Sequence, residues 1–275
     1  MQAVHAASFL PQLSKTGIKS FKIEKFDLYC MVLSALVWRR SGGNITLHAD
    51  KVSFDYYTDI GLKGIWDSIA NTIPDDFEGI NPKMFWAAGK LFALRETSAP
   101  IVMIDTDFIV WENPEFGNSI IAAHYETISD MIYPDFTYFE MKPDYHFNPS
   151  WSKAASPLNT AFLYLPDEGF KQYYVNKSID FMKHAEDCDD FLCRMVFAEQ
   201  RLLSVCAEEL KMPVQVLLNK NRVFFPQKKF THLWGAKRIM REDKRSEKEF
   251  TDRCKNRILS DFPEYGYAVE IIENI

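Results

Sequence analysis

The chain has 275 residues, of which 47% are hydrophobic and 15% aromatic, enough for one large α/β domain or two small ones around a substantial core. Its 32 Lys and Arg against 38 Asp and Glu give a net charge of −6, which argues against a general nucleic-acid binder, because such proteins displace counterions with a basic surface. No stretch reaches about 18 uninterrupted apolar residues, no charged leader precedes an apolar run, and the five cysteines show no zinc-like spacing, so the expectation is a soluble cytoplasmic protein with free thiols.

In chain order, "AVHAASFL" at 3–10 reads as a first strand, and "FDLYCMVLSALVWRR" at 26–40 as a helix that "SGG" stops. "NITLHAD" at 44–50 alternates β-branched and apolar residues like a strand and ends on Asp50. "NPKMFWAAGKLFALRETSAP" at 81–100 predicts a second helix, with Asn81 as N-cap, Pro82 at its first position and Pro100 as its stop. A strand at 101–111 follows, then strands at 119–125, 159–165 and 213–218, with helices over 168–185 and 190–211. This alternation predicts an α/β fold with a mixed, mostly parallel sheet flanked by helices. The aromatic, aperiodic stretch at 133–157 is too long for an ordinary connection; it is either a binding wall or an irregular surface excursion.

The strand "IVMIDTDFIVW" at 101–111 is apolar enough to be buried on both faces, yet it carries Asp105 and Asp107. Unpaired buried carboxylates cost several kcal/mol, so something positive must meet them. Ligands of open α/β sheets bind at the carboxyl ends of strands, where this pair falls. In an extended chain residues i and i+2 point the same way, so both carboxylates can approach one hard divalent cation, magnesium or manganese.

Two later segments add to this. On the helix at 190–211, a turn of about 100° per residue puts Glu199 on the same face as Leu192, Met195, Leu203, Cys206 and Leu210, with Gln200 at its edge. A carboxylate on an apolar face is either a paired structural group or a member of a reaction centre. "FTHLWGAKR" at 230–238 supplies an imidazole, His232, as a candidate third metal ligand; Gly235, where backbone can approach a ligand; and Lys237 and Arg238 for phosphate.

Taken together, "KLFALRETSAPIVMIDTD", "LNTAFLYL", "AEQRLL" and "THLWGAK" resemble, in that order, the retaining GT-A glycosyltransferases of the glycogenin and bacterial lipopolysaccharide-galactosyltransferase type. The resemblance implies a GT-A-like, Rossmann-like domain over 1–240 with a C-terminal helical extension over 241–275. It implies a hexosyl-transferring enzyme that uses a nucleotide-sugar donor and a glycan or other acceptor. Asp105, Asp107 and His232 would bind the metal, Gly235 and Lys237 the diphosphate, and Lys90 would reach the donor from its helix. Asn159 would orient sugar or acceptor, and Glu199 with Gln200 would flank the reacting centre. Asp50 is either a nucleoside contact or a strand-end turn.

Two alternatives stay open. One is a phosphatase of the haloacid-dehalogenase kind with Asp105 as nucleophile; such enzymes carry their Asp pair near the N-terminus and a Thr or Val where this chain has Ile109, and Asp189 and Asp190 here suit a helix cap better than a second acidic pair. The other is an inert nucleotide- or glycan-binding protein of the same fold. From Gln227 to Arg257 there are 11 Lys or Arg against 5 Asp or Glu, a basic run that suits phosphates, an interface, a membrane surface or plain solvent.

Overall fold

A computed structural model describes residues 1–17, 21, 23–189, 191–223, 225 and 227–275 of the chain. The elements run β1 (Gln2–Ala7), α1 (Leu10–Thr16), α2 (Lys25–Arg40), β2 (Asn44–Ala49), α3 (Lys51–Asp59), β3 (Ser68–Asn71), α4 (Ala88–Arg95), β4 (Ile101–Ile104), β5 (Phe108–Val110), β6 (Ile120–Tyr125) and β7 (Leu158–Leu165). They continue with α5 (Glu168–His184), α6 (Phe191–Val196), a π-helical turn (Phe197–Arg201), α7 (Leu202–Glu209), β8 (Val214–Val216), α8 (Lys220–Val223), β9 (Phe230–His232), α9 (Ala236–Glu242), α10 (Lys244–Asp261) and α11 (Gly266–Asn274).

Seven strands form one sheet in the order β3-β2-β1-β4-β7-β6-β8. The pairs β1–β2, β2–β3, β1–β4 and β6–β8 are parallel, while β4–β7 and β6–β7 are antiparallel. The sheet is therefore mixed and mostly parallel, with helices on both faces. The apolar run of β4 is explained by its two covered faces: Val102 and Ile104 join the apolar cluster built on α2, and Ile101 and Met103 join the one built on α4 and α5. α2 is buried from Phe26 to Trp38 because the sheet lies on one side of it and α10 and α11 on the other. Ile258, Phe262, Ala268, Val269 and Ile272 belong to the same cluster as α2, so the C-terminal helices are packed on the sheet domain.

The chain runs outward from β1 to β2 and β3, then returns to place β4 on the other side of β1. That reversal opens a crevice at the carboxyl ends of β1 and β4, the position at which open α/β sheets bind ligands. Gly89 lets α4 lie close there: a Cβ on it would sit 3.3 Å from Ile73 and 3.6 Å from Ser8.

Several expected boundaries move. The first strand ends at Ala7 instead of residue 10, and the second helix begins at Ala88 instead of 81. Asn81 does accept backbone N–H bonds, from Lys83 and Met84, but in a separate turn. The backbone N–H of Ala87 then donates to the Met195 sulfur, which interrupts the path into the helix. The strand expected over 101–111 is two strands, since β5 leaves the main sheet and pairs antiparallel with β9. The helix over 190–211 is broken by the π-turn, and Asp190, expected at its start, lies outside the described residues. The 133–157 segment packs inward, with Phe136, Phe139 and Trp151 buried against Phe181 and Phe197 or one another. Cys30, Cys206 and Cys254 are free thiols, and among the described residues no helix is long and apolar enough to cross a membrane.

Candidate active site

The Asp-Thr-Asp stretch is a turn, not extended chain, and it sits where β4 hands over to β5. Asp105 N–H donates to Ala161 O (2.8 Å) on β7, Phe108 N–H to Asp105 O (2.9 Å), and Leu233 N–H to Asp107 O (3.1 Å). In the β5–β9 ribbon Phe108 stands opposite His232. This pairing brings the imidazole to the acid pair: one ligand atom from each of Asp105, Asp107 and His232 lies within 4.8 Å of the others. It is the Asp-Thr-Asp turn, and not the i, i+2 alternation of an extended chain, that makes the two carboxylates converge.

Each aspartate has its own lysine. Lys90, from α4, reaches Asp105 at 2.7 Å and also contacts Glu199 of the π-turn and the Thr160 carbonyl oxygen at 3.3 Å. Thr160 donates its hydroxyl to the same Glu199 oxygen at 2.6 Å. Lys237, in the first turn of α9, lies 3.0 Å from Asp107 and 3.1 Å from Asp27 in the first turn of α2. Burial pushes the Asp105 carboxyl up to about 6, with Lys90 opposing and Asp107 and Glu199 adding to the rise. Burial also pushes Asp107 upward, but Lys237 and His232 outweigh it and leave that carboxyl below its ordinary value. His232 is lowered to about 4 by burial, against the pull of Asp107, so its ring is neutral near pH 7 and has a lone pair to offer a metal. For both Lys90 and Lys237 burial favours the neutral amine, but the paired carboxylates prevail and raise them above the usual lysine value.

These groups line a pocket of about 430 Å³. Within it Gln200 accepts a hydrogen bond from the Tyr133 hydroxyl at 2.5 Å, which leaves its amide nitrogen to donate into the cavity. Asn159 also lines the pocket, but its amide nitrogen donates to Glu126 (3.0 Å) and its oxygen accepts from Ala161 N–H (3.2 Å). The Trp234 indole stacks parallel on His232, with 5.8 Å between ring centroids, and gives the pocket one aromatic wall.

Three expected site residues stand outside the lining: Asp50, Gly235 and Arg238, the last exposed and paired with Glu242 on its own helix. Asp50 is the N-cap of α3, accepting from Ser53 N–H (2.8 Å), and its other oxygen accepts from the Ser8 hydroxyl and Phe9 N–H, both at 2.6 Å. Of its two readings, the strand-end turn describes what it does; its link to the pocket runs through Ser8. Gly235 lies between Trp234 and Lys237 at φ −68°, with nothing within 4 Å of a built Cβ, so the fold itself does not require glycine there.

Ser8, Trp86, Thr160 and Trp234 also line the pocket, and no motif in the sequence marks them as site residues. Asp27 carried a usable signal. It is an acid in the first turn of an otherwise apolar helix, the same anomaly that marks Glu199.

The arrangement defines an α/β protein with an acid–imidazole triad and two half-buried lysines at the mouth of its central strands. The chain belongs to a family of unknown function, DUF6734, whose model matches residues 12–272. No curated protein matches the sequence. Among solved structures it is similar to "PaToxG Glycosyltransferase" (9% identity, TM-score 0.41, 76% of this chain and 69% of that one). It is also similar to the glycosyltransferase GlyE of Streptococcus pneumoniae TIGR4 (12%, TM-score 0.38, 79% and 45%), so it spans less than half of GlyE. A third is an active-site mutant of LgtC (11%, TM-score 0.41, 84% and 86%).

Proposed function

We propose that the chain is a metal-dependent glycosyltransferase that moves a hexosyl group from a nucleotide-sugar, a UDP-sugar as first choice, to a hydroxyl of a glycan or other acceptor. The observation that carries this reading is the division of one pocket into two charged halves. Asp105, Asp107, His232 and Lys237 make a cation-and-phosphate side, and Glu199 and Gln200 make an adjoining wall held by Lys90, Thr160 and Tyr133. Two carboxylates and a neutral imidazole are a donor set that manganese or magnesium accepts. A bound divalent ion would neutralise charge on the leaving diphosphate.

The chain's own residues supply the rest. Lys237 is cationic and already anchored by Asp27 and Asp107, so it offers a positioned charge to the departing phosphate at little cost in reorganisation. On the other side, the sugar carbon gains positive character as its bond to phosphate breaks, and Glu199 supplies negative charge facing it. Lys90 and Thr160 fix the Glu199 carboxylate in place. The free amide nitrogen of Gln200 donates to a sugar hydroxyl, and Trp234 offers a flat apolar face to a ring.

Calorimetry with a panel of nucleotide-sugars, with and without manganese, tests this on the wild type and on Asp107→Ala. The expected result is metal-dependent binding of one donor, abolished in the variant, with Lys237→Ala weakening that donor at least tenfold. If no donor binds the folded protein and aryl phosphate is instead hydrolysed through a trapped acyl-phosphate on Asp105, the chain is a phosphatase and the proposal fails.

A further inference from the structure

A second cavity, of about 860 Å³, lies beside the first and shares His232 with it. Its size falls within the roughly 300–1,000 Å³ usual for small-molecule sites. Leu33 of α2, Ile109 of β5, Leu233 after β9 and Cys254 of α10 are buried apolar residues of its lining, and Trp111 and Phe250 are half-buried.

The rim differs in character from the floor. Arg253, Asn256, Arg257 and Ser260 recur at the i, i+3, i+4, i+7 spacing of one helix face, so α10 presents two guanidinium groups to the opening. Arg257 lies over the Trp111 ring at 5.4 Å and pairs with Asp261 at 2.7 Å, but Asp261 also pairs with Arg40 at 2.8 Å. Arg253 is exposed and, among the described residues, makes no ion pair. Two like charges one helical turn apart, with one carboxylate that Arg257 shares with Arg40, leave the rim short of negative charge.

We propose that this cavity binds an anionic amphiphile: a carboxylate with an aliphatic body, the body against Trp111, Phe250 and the buried floor, the carboxylate on Arg253 and Arg257. Arginine's planar fork matches a carboxylate with two parallel hydrogen bonds, and the apolar body gains the free energy of leaving water. The site stands on its own residues and does not depend on sugar transfer.

Binding of dodecanoate below its micellar concentration, measured by calorimetry on the full chain, tests the proposal. Dodecyltrimethylammonium serves as the cation of equal apolar length. Dodecanoate should bind and the ammonium should not compete with it. Arg253→Glu reverses a charge that is exposed and without an ion pair, and Ala236→Trp adds bulk at an exposed edge of the cavity, so both variants should fold with melting temperatures near that of the wild type. Each should weaken dodecanoate at least tenfold, while Asp107→Ala leaves it unchanged. Equal affinity for anion and cation, indifference to both rim substitutions, or loss of binding in Asp107→Ala, which would assign the ligand to the first pocket, would each overturn the assignment.

Discussion

Replacing Lys90 with Met removes the one cation that Asp105 and Glu199 share. The three side chains are 14%, 27% and 8% exposed, so water can replace little of what the ammonium supplies. Breaking a buried ion pair by removing one partner costs about 3–5 kcal/mol, because the remaining charge stays buried. Unfolding entropy of about 2.1 cal/mol/K per residue gives a chain of this length roughly 0.6 kcal/mol per kelvin, so Lys90→Met should lower Tm by about 5–9 °C. A double-mutant cycle in urea gives the decisive readout. Adding Glu199→Gln to Lys90→Met removes one of the stranded charges, so the double variant should be more stable than Lys90→Met alone, with a coupling of about 1–3 kcal/mol. A cost for Lys90→Met under about 1 kcal/mol at unchanged urea slope, or strictly additive losses, would refute the claim that this lysine is the counter-charge of the pair.

Two further outcomes follow from groups outside the pocket's charge pairs. His5 is wholly buried; Trp66 Nε1–H donates to its Nδ1 (3.2 Å), its Nε2 meets the Ser34 hydroxyl (3.2 Å), and burial lowers its pKa to about 3. The unfolded chain takes up that proton from about pH 6.5 downward and the folded chain does not, so stability should fall by up to about 1.4 kcal/mol per pH unit between pH 6.5 and 3. Urea titrations across the upper part of that range should show a shallower loss for His5→Asn than for the wild type, and equal slopes would contradict the reading. Arg201 donates to three carbonyls of the aromatic segment, those of Tyr133 and Pro134 at 2.8 Å and Lys153 at 2.5 Å. Arg201→Leu should therefore destabilise by about 3–5 kcal/mol, since it orphans several acceptors at once, and limited proteolysis should cut first within 133–157; cleavage elsewhere would show that the segment holds itself.

What the sequence made legible was whatever follows from local pattern. The apolar run before Asp105 demanded two covered faces and has them, and the lone carboxylate on the face of the 190–211 helix is buried at the pocket. The misreadings come from contacts that no local window contains. Asn81 and Pro82 are genuine start signals, but the Met195 sulfur takes the Ala87 N–H and the helix begins nearly two turns later, at Ala88. At the π-turn the Tyr174 hydroxyl of α5 donates to the Glu199 carbonyl at 2.6 Å, a contact between two helices that no local window contains. Asp27 went unread because its reason for being buried, Lys237, lies some 210 positions along the chain.

The ribbon between β5 and β9 joins residues that leave the ribosome more than a hundred positions apart. Asp105 and Asp107 are therefore made early, and Lys90, the counter-charge of Asp105, precedes them. His232 and Lys237, the imidazole and the cation beside Asp107, come only with β9 and α9. Closing so long a loop carries an entropic cost before any contact rewards it. During synthesis all seven strands of the main sheet, the last ending at Val216, are available while Asp107 still lacks Lys237, so the nascent chain holds the sequence of a complete sheet before it can assemble the centre.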